Sequence, residues 1–123
     1  MVASAPLLKR QFSFRRHERV RCRKDYELAF RRGSRRHTQN FTIILRPNGL
    51  KFSRLGVTVG KKVGNAVKRN RVKRCLREFF RLHKHTLPPS HDVVIVAKKD
   101  AATLAYHDVR EELAAVLIRN NCI

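Results

Sequence analysis

The sequence predicts a single α+β domain in which helices cover a β-sheet. Three observations lead there. An amphipathic run over residues 65–82 places Val72, Cys75, Leu76, Phe79 and Phe80 at i, i+3, i+4, i+7 and i+8. Strand-like segments precede it at residues 41–45 and 55–59, and another follows at 93–97. Helical spacing then returns over residues 106–119 through Val109, Leu113, Val116 and Leu117. With a short helix at the start, the order is helix, strands, helix, strand, helix. That is a split-βαβ sandwich and not a doubly wound parallel sheet.

Taken in order, residues 1–18 read as a basic, partly disordered arm and 19–120 as the folded domain. Residues 24–32 form the first helix, with Tyr26 and Phe30 at i and i+4 and Gly33 as its stop. Residues 34–39 read as a basic polar loop. Phe41, Ile43 and Leu45 share one face of the next strand, Thr42 and Ile44 the other, and Pro47-Asn48-Gly49 signals a turn. Over residues 55–59 large side chains alternate with Gly56 and Thr58, a small-residue face with room for a strand of RNA. Asn65 is an N-cap for the long helix. At 100° per residue its five apolar positions span an arc of about 140°, opposite Asn70, Lys73, Arg74, Arg77 and Arg81. Pro88-Pro89 closes the connection, and the β-branched run at 93–97 suits a strand buried on both faces.

The formal charge is +20, with a pI near 11.5, which places the chain among binders of nucleic acid or anionic surfaces. The charge is uneven. Residues 85–123 hold four cations against five acids, whereas the other 25 cations face only Glu18, Asp25, Glu27 and Glu78. A basic binding side with a neutral back follows. Between residues 61 and 84, ten cations meet only Glu78, far from the mixed charges of a solvated helix face. A polyphosphate backbone is the natural counterpart. Arg suits bidentate phosphate contact and base stacking, and Asn70 adds a directional hydrogen bond.

Catalytic groups are scarce. The acids are too dispersed for two-metal phosphodiester cleavage, and Asp108 with Glu112 reads as a solvated helix face. His83, His85 and His91 read as surface histidines of a loop, and no motif pairs a histidine with a lysine. Gly60-Lys61-Lys62-Val63-Gly64 lacks the order of a nucleotide P-loop, though such a helix N-terminus can hold a phosphate. Cys22, Cys75 and Cys122 lack zinc spacing and read as free thiols of a reducing cytosol. No apolar run approaches the roughly 18 residues of a membrane span. Tyr26 and Phe30 amid arginines read either as core residues or as stacking platforms for single-stranded RNA.

The run Lys61-Lys62-Val63-Gly64-Asn65-Ala66-Val67-Lys68-Arg69-Asn70-Arg71, followed by Val72-Lys73-Arg74, resembles the signature of the bacterial ribonuclease P protein subunit, including its "RNR" motif. The likeness extends upstream through residues 19–33 and downstream through Leu76-Arg77-Glu78, Leu87-Pro88-Pro89 and residues 92–99. It covers residues 14–118.

The resemblance implies an αβββαβα fold like a ribosomal-protein domain, with a mixed sheet and a left-handed βαβ crossover; one of its strands has no counterpart in the pattern read above. It implies a subunit that acts with a large catalytic RNA to remove the 5′ leader of precursor tRNA in the cytoplasm. Mg²⁺ would be held mainly by that RNA, with no metal ligand or catalytic residue in the protein. The implied partners are the catalytic RNA and precursor tRNA, with no membrane or small-molecule substrate. Lys61, Lys62, Asn65, Lys68, Arg69, Asn70, Arg71, Lys73, Arg74 and Arg77 would contact the catalytic RNA. Arg19, Arg23, Tyr26, Phe30, Thr42, Ile44 and Thr58 would line the leader cleft. Tyr26 stands where Phe is common, Ile44 where a cleft aromatic often sits, and Gly60 replaces a common serine. A structural RNA-binding protein of ribosomal type is the alternative.

Overall fold

A computed structural model describes residues 16–118. Its elements are α1 (Arg23–Arg32), β1 (Ser34–His37), β2 (Phe41–Pro47), β3 (Arg54–Thr58), α2 (Ala66–His83), β4 (His91–Ala97) and α3 (Tyr106–Leu117). This is the αβββαβα order. The sheet runs β1-β2-β4-β3; β1–β2 and β2–β4 are antiparallel, while β3 and β4 are parallel and joined through α2.

The basic loop expected at residues 34–39 is instead a strand over its first part. β1 carries Ser34, Arg35, Arg36 and His37, all exposed, and pairs with Leu45, Ile44, Ile43 and Thr42. It has no apolar residue because it is an edge strand with little to bury, and charge on such an edge discourages further pairing. Periodicity cannot detect a strand of this kind. Residues 1–15 and 119–123, with Cys122, lie outside the described residues. Arg16–Glu18 forms a 3-10 turn whose buried Glu18 meets Lys84 at 3.0 Å, so the folded part includes residues assigned above to the arm.

The odd-numbered face of the sheet builds the main core. Phe41, Ile43, Leu55, Val93 and Ile95 pack against Val72, Leu76, Phe79 and Phe80 of α2 and Val109, Leu113 and Leu117 of α3. The expected stripe of α2 is thus the buried one, with Cys75 at its margin. Asn65 caps α2, its Oδ1 accepting from the Lys68 N–H at 3.0 Å. Val93, Val94 and Ile95 have no exposed surface, as a doubly covered strand requires.

The other face is thinner. Among the described residues α1 covers it, through Ala29 on Ile44 and Val94, with Tyr26, Phe30 and Val96 packed around them. Gly33 ends α1 in an extended conformation (φ −74°), so no left-handed cap is needed. What requires glycine there is proximity: a Cβ would lie 2.4 Å from Ile44 Cγ2 and 2.6 Å from the Ala29 carbonyl oxygen.

Polar contacts complete the frame. Asp92, fully buried, accepts from Arg54 Nε and Nη2 at 2.8 and 2.7 Å and from Asn48 Nδ2 at 3.0 Å. Arg54 also reaches Asp25 of α1 at 3.4 Å. Glu112 is not the solvated side chain that its helical position suggests. It accepts from the Asn40 N–H at 2.7 Å, from Asn40 Nδ2 at 2.8 Å and from the Thr38 hydroxyl, clasping α3 to the β1–β2 turn.

Candidate nucleic-acid interface

Two surfaces gather the residues singled out above. The first is the outer side of α2 and the turn before it. Lys61, Lys62, Asn65, Lys68, Asn70, Arg71 and Arg74 are exposed, and Arg69, Lys73 and Arg77 are half-buried. The guanidinium Nε of Arg69 is enclosed and has no hydrogen-bond partner among the described residues. Val67, 77% exposed, lies bare among these cations, where it weakens no internal packing. The four acids of the basic part of the chain are all engaged internally: Glu18 with Lys84, Asp25 with Arg54, Glu27 with Arg23 and Glu78 with Arg81. Each thereby cancels one cation, and most cations of the basic part are left without a counter-charge.

The second surface lies between α1 and the sheet. Strand register aligns His37, Thr42, Val96 and Thr58 in one row across β1, β2, β4 and β3. In-register neighbours share a face, so this row lies on the α1 side, one step beyond the row that α1 covers. Thr42, Val96 and Thr58 are half-buried and His37 is exposed, forming a shelf beside Phe30. The His37 ring nitrogen Nδ1 sits 3.1 Å from the Thr42 hydroxyl. Arg35 donates to the Phe30 carbonyl at 2.6 Å and holds its guanidinium 5.8 Å from the Phe30 ring centroid.

Several expectations change here. Ile44 has no exposed surface and lies beneath Ala29 and Gly33, so it supports the shelf from below and offers no contact to a ligand. Gly56 leaves no open space either: the Tyr26 ring fills it, and a Cβ at Gly56 would lie 2.8 Å from Tyr26 Cε1. Arg23 is bound to Glu27 at 3.2 Å on the outer side of α1. Arg35, His37 and Val96 are not among the cleft residues expected from the sequence, because only the β1–β2–β4 register brings them to the shelf.

Burial raises the Tyr26 pKa, opposed by a hydrogen bond with the Val57 backbone and by the positive field of Arg77, so its hydroxyl keeps its proton at neutral pH. Burial likewise raises the pKa of the Cys75 thiol, with Arg71 opposing, which makes it an inert packing group. Among the described residues no three His, Cys, Asp or Glu side chains come together as metal ligands.

A family model described as Ribonuclease P matches residues 14–121. The chain belongs to the ribonuclease P protein family. The ribonuclease P protein component of Syntrophus aciditrophicus is 46% identical over 110 residues, covering 89% of this chain and 92% of that one. That of Citrifermentans bemidjiense is 48% identical over 108 residues, with coverages of 87% and 91%. The solved RNase P protein of Thermotoga maritima is 37% identical with a TM-score of 0.76, covering 83% of this chain and 96% of that one. As a ribonuclease P protein, the chain is a component of an endonuclease ribonucleoprotein and has an RNA partner. No helix among the described residues is long and apolar enough to cross a membrane. Nothing among the described residues lies within 4 Å of a Cβ placed at Gly60, so packing does not demand a glycine there.

Proposed function

We propose that this chain is the protein subunit of a cytoplasmic ribonuclease P holoenzyme that generates the mature 5′ end of tRNA. The basic side of α2 docks on a catalytic RNA, and the shelf beside Tyr26 and Phe30 receives the single-stranded 5′ leader of precursor tRNA. Phosphodiester hydrolysis is assigned to the RNA, which holds the Mg²⁺ that activates the attacking water. The protein supplies affinity, orientation and screening of the repulsion between two polyanions.

The observation that carries this reading is the partly open sheet row Thr42–Val96–Thr58 flanked by Phe30 and Tyr26, beside a helix dense in arginine. A protein that only braces a folded RNA has no need for an aromatic shelf wide enough for an unpaired strand. Cleavage of precursor tRNA at low Mg²⁺ with RNA alone, protein alone and both together tests it. The expected result is strong acceleration in the mixture and none with protein alone. No acceleration by the protein would remove the proposed role, and cleavage by protein alone would move the chemistry to the polypeptide.

A further inference from the structure

Helical phase alone groups Arg77 with the residues that face the catalytic RNA, yet its side chain lies in a pocket of 210 Å³ shared with Tyr26. Arg19 and Arg21 line the same pocket, and Leu55 and Val57 of β3 form part of its wall. A second, shallower hollow of 440 Å³ continues along α2 past Arg19, Arg74, Arg77, Glu78 and Arg81. Arg19 and Arg77 belong to both. The two RNA-binding surfaces are therefore continuous, and this pocket is where they join.

We propose that the Arg19–Arg21–Arg77 pocket binds one backbone phosphate of the single-stranded leader, with the Tyr26 hydroxyl as an additional donor. This rests on the function proposed above and locates one contact within it. No carboxylate lines the pocket among the described residues, and the nearest acid on α2, Glu78, is held by Arg81 at 2.7 and 2.9 Å. Arg19 and Arg21, from the segment before α1, and Arg77, from α2, line it together, so a phosphate there would meet guanidinium groups from two parts of the chain. The volume accommodates several waters at about 30 Å³ each, enough for a phosphate group.

The site is also pre-shaped. Val20 donates to the Leu55 carbonyl at 2.8 Å and Arg19 bridges to Leu55, which fixes the arginine-bearing segment along the edge of β3. Gly56 lets the Tyr26 ring lie close to the sheet, and Val57 meets its hydroxyl. That hydroxyl retains a proton to donate to a phosphate oxygen. The ring stacks in the same way with Phe at this position, but only Tyr supplies the donor.

The test uses the full-length protein and a single-stranded leader oligoribonucleotide, measured with and without the catalytic RNA. Neutral methylphosphonate linkages are placed at one position at a time. Arg77→Ala should weaken leader binding about tenfold, as expected for one charge-assisted contact, and Tyr26→Phe should weaken it less. At one linkage the neutral substitution should cost wild type its advantage and leave Arg77→Ala unaffected. Arg77→Lys should recover part of the loss, and circular dichroism should show every variant folded. Arg74→Ala serves as the contrast, weakening catalytic-RNA binding more than leader binding. If no linkage shows this coupling, or if Arg77→Ala behaves like Arg74→Ala, the pocket is not a leader-phosphate site. Failure of the larger reading looks different: protein would not accelerate precursor cleavage, and Phe30→Ala would leave leader affinity unchanged.

Discussion

One face of the sheet is closed by two helices over Phe41, Ile43, Leu55, Val93 and Ile95, none more than 3% exposed, while among the described residues the other carries only α1, with Ala29, Ile44 and Val94 buried. On the first face, large aromatic and aliphatic side chains interdigitate, and burial of this extent supplies the main folding drive. On the second, α1 is too short and too polar to be held by apolar area alone. It is tied instead through Asp25 to Arg54, and through Arg54 to the buried Asp92. The difference shows how a small domain can expose aromatic edges without losing its fold. Stability is concentrated on the main-core side of the sheet, and the α1 side is positioned by directed polar contacts.

The contrast can be broken most sharply by truncating an aromatic on each face. Phe79→Ala should cost about 3–5 kcal/mol in urea unfolding, and Phe30→Ala about 1 kcal/mol because its ring is only partly buried. Equal losses would make α1 an ordinary core helix and leave no shelf. Next in size, Asp92→Asn should cost about 3 kcal/mol by leaving Arg54 without its buried counter-charge. It should also reduce leader affinity more than catalytic-RNA affinity, since α1 is what it anchors. Parallel losses in the two binding assays would limit the ion cluster to general stability.

Gly33→Ala tests how closely α1 approaches β2. The added Cβ meets Ile44 and the Ala29 carbonyl, and a loss of about 2 kcal/mol in thermal or chemical unfolding is expected. A neutral result would mean that α1 can lift from the sheet at little cost. The smallest effect belongs to the outer surface of the well-packed side. The hydrogen bond from Arg81 lowers the pKa of Glu78 below 4.5. A depressed carboxylate contributes stability above its unfolded pKa and loses it as pH falls through the folded value. Glu78→Gln should therefore cost less than about 0.5 kcal/mol near neutrality, and its difference from wild type should vanish on acidification. A larger or pH-independent loss would give Glu78 a packing role.

Local information was enough for α2. Its stripe, its Asn65 cap and its basic outer side depend on neighbours within a few residues, which periodicity records directly. The β4 run and the family motif were legible for the same reason. β1 was not, because an exposed edge strand of Ser, Arg, Arg and His is defined by the strand it pairs with and not by its own pattern. Glu112 illustrates the same limit: its partners at Thr38 and Asn40 lie more than 70 residues away in the chain. Composition and helical phase thus determined that this chain is a basic α+β domain with a one-sided cationic helix suited to a polyanion, and the family motif made that partner RNA. Tertiary structure alone decided that Ile44 is sealed, that Tyr26 occupies the space left by Gly56, and that Arg77 meets Arg19 and Arg21 beside it. Those outcomes depend on the spacing between a helix and a sheet, which is set by the packing of the whole domain.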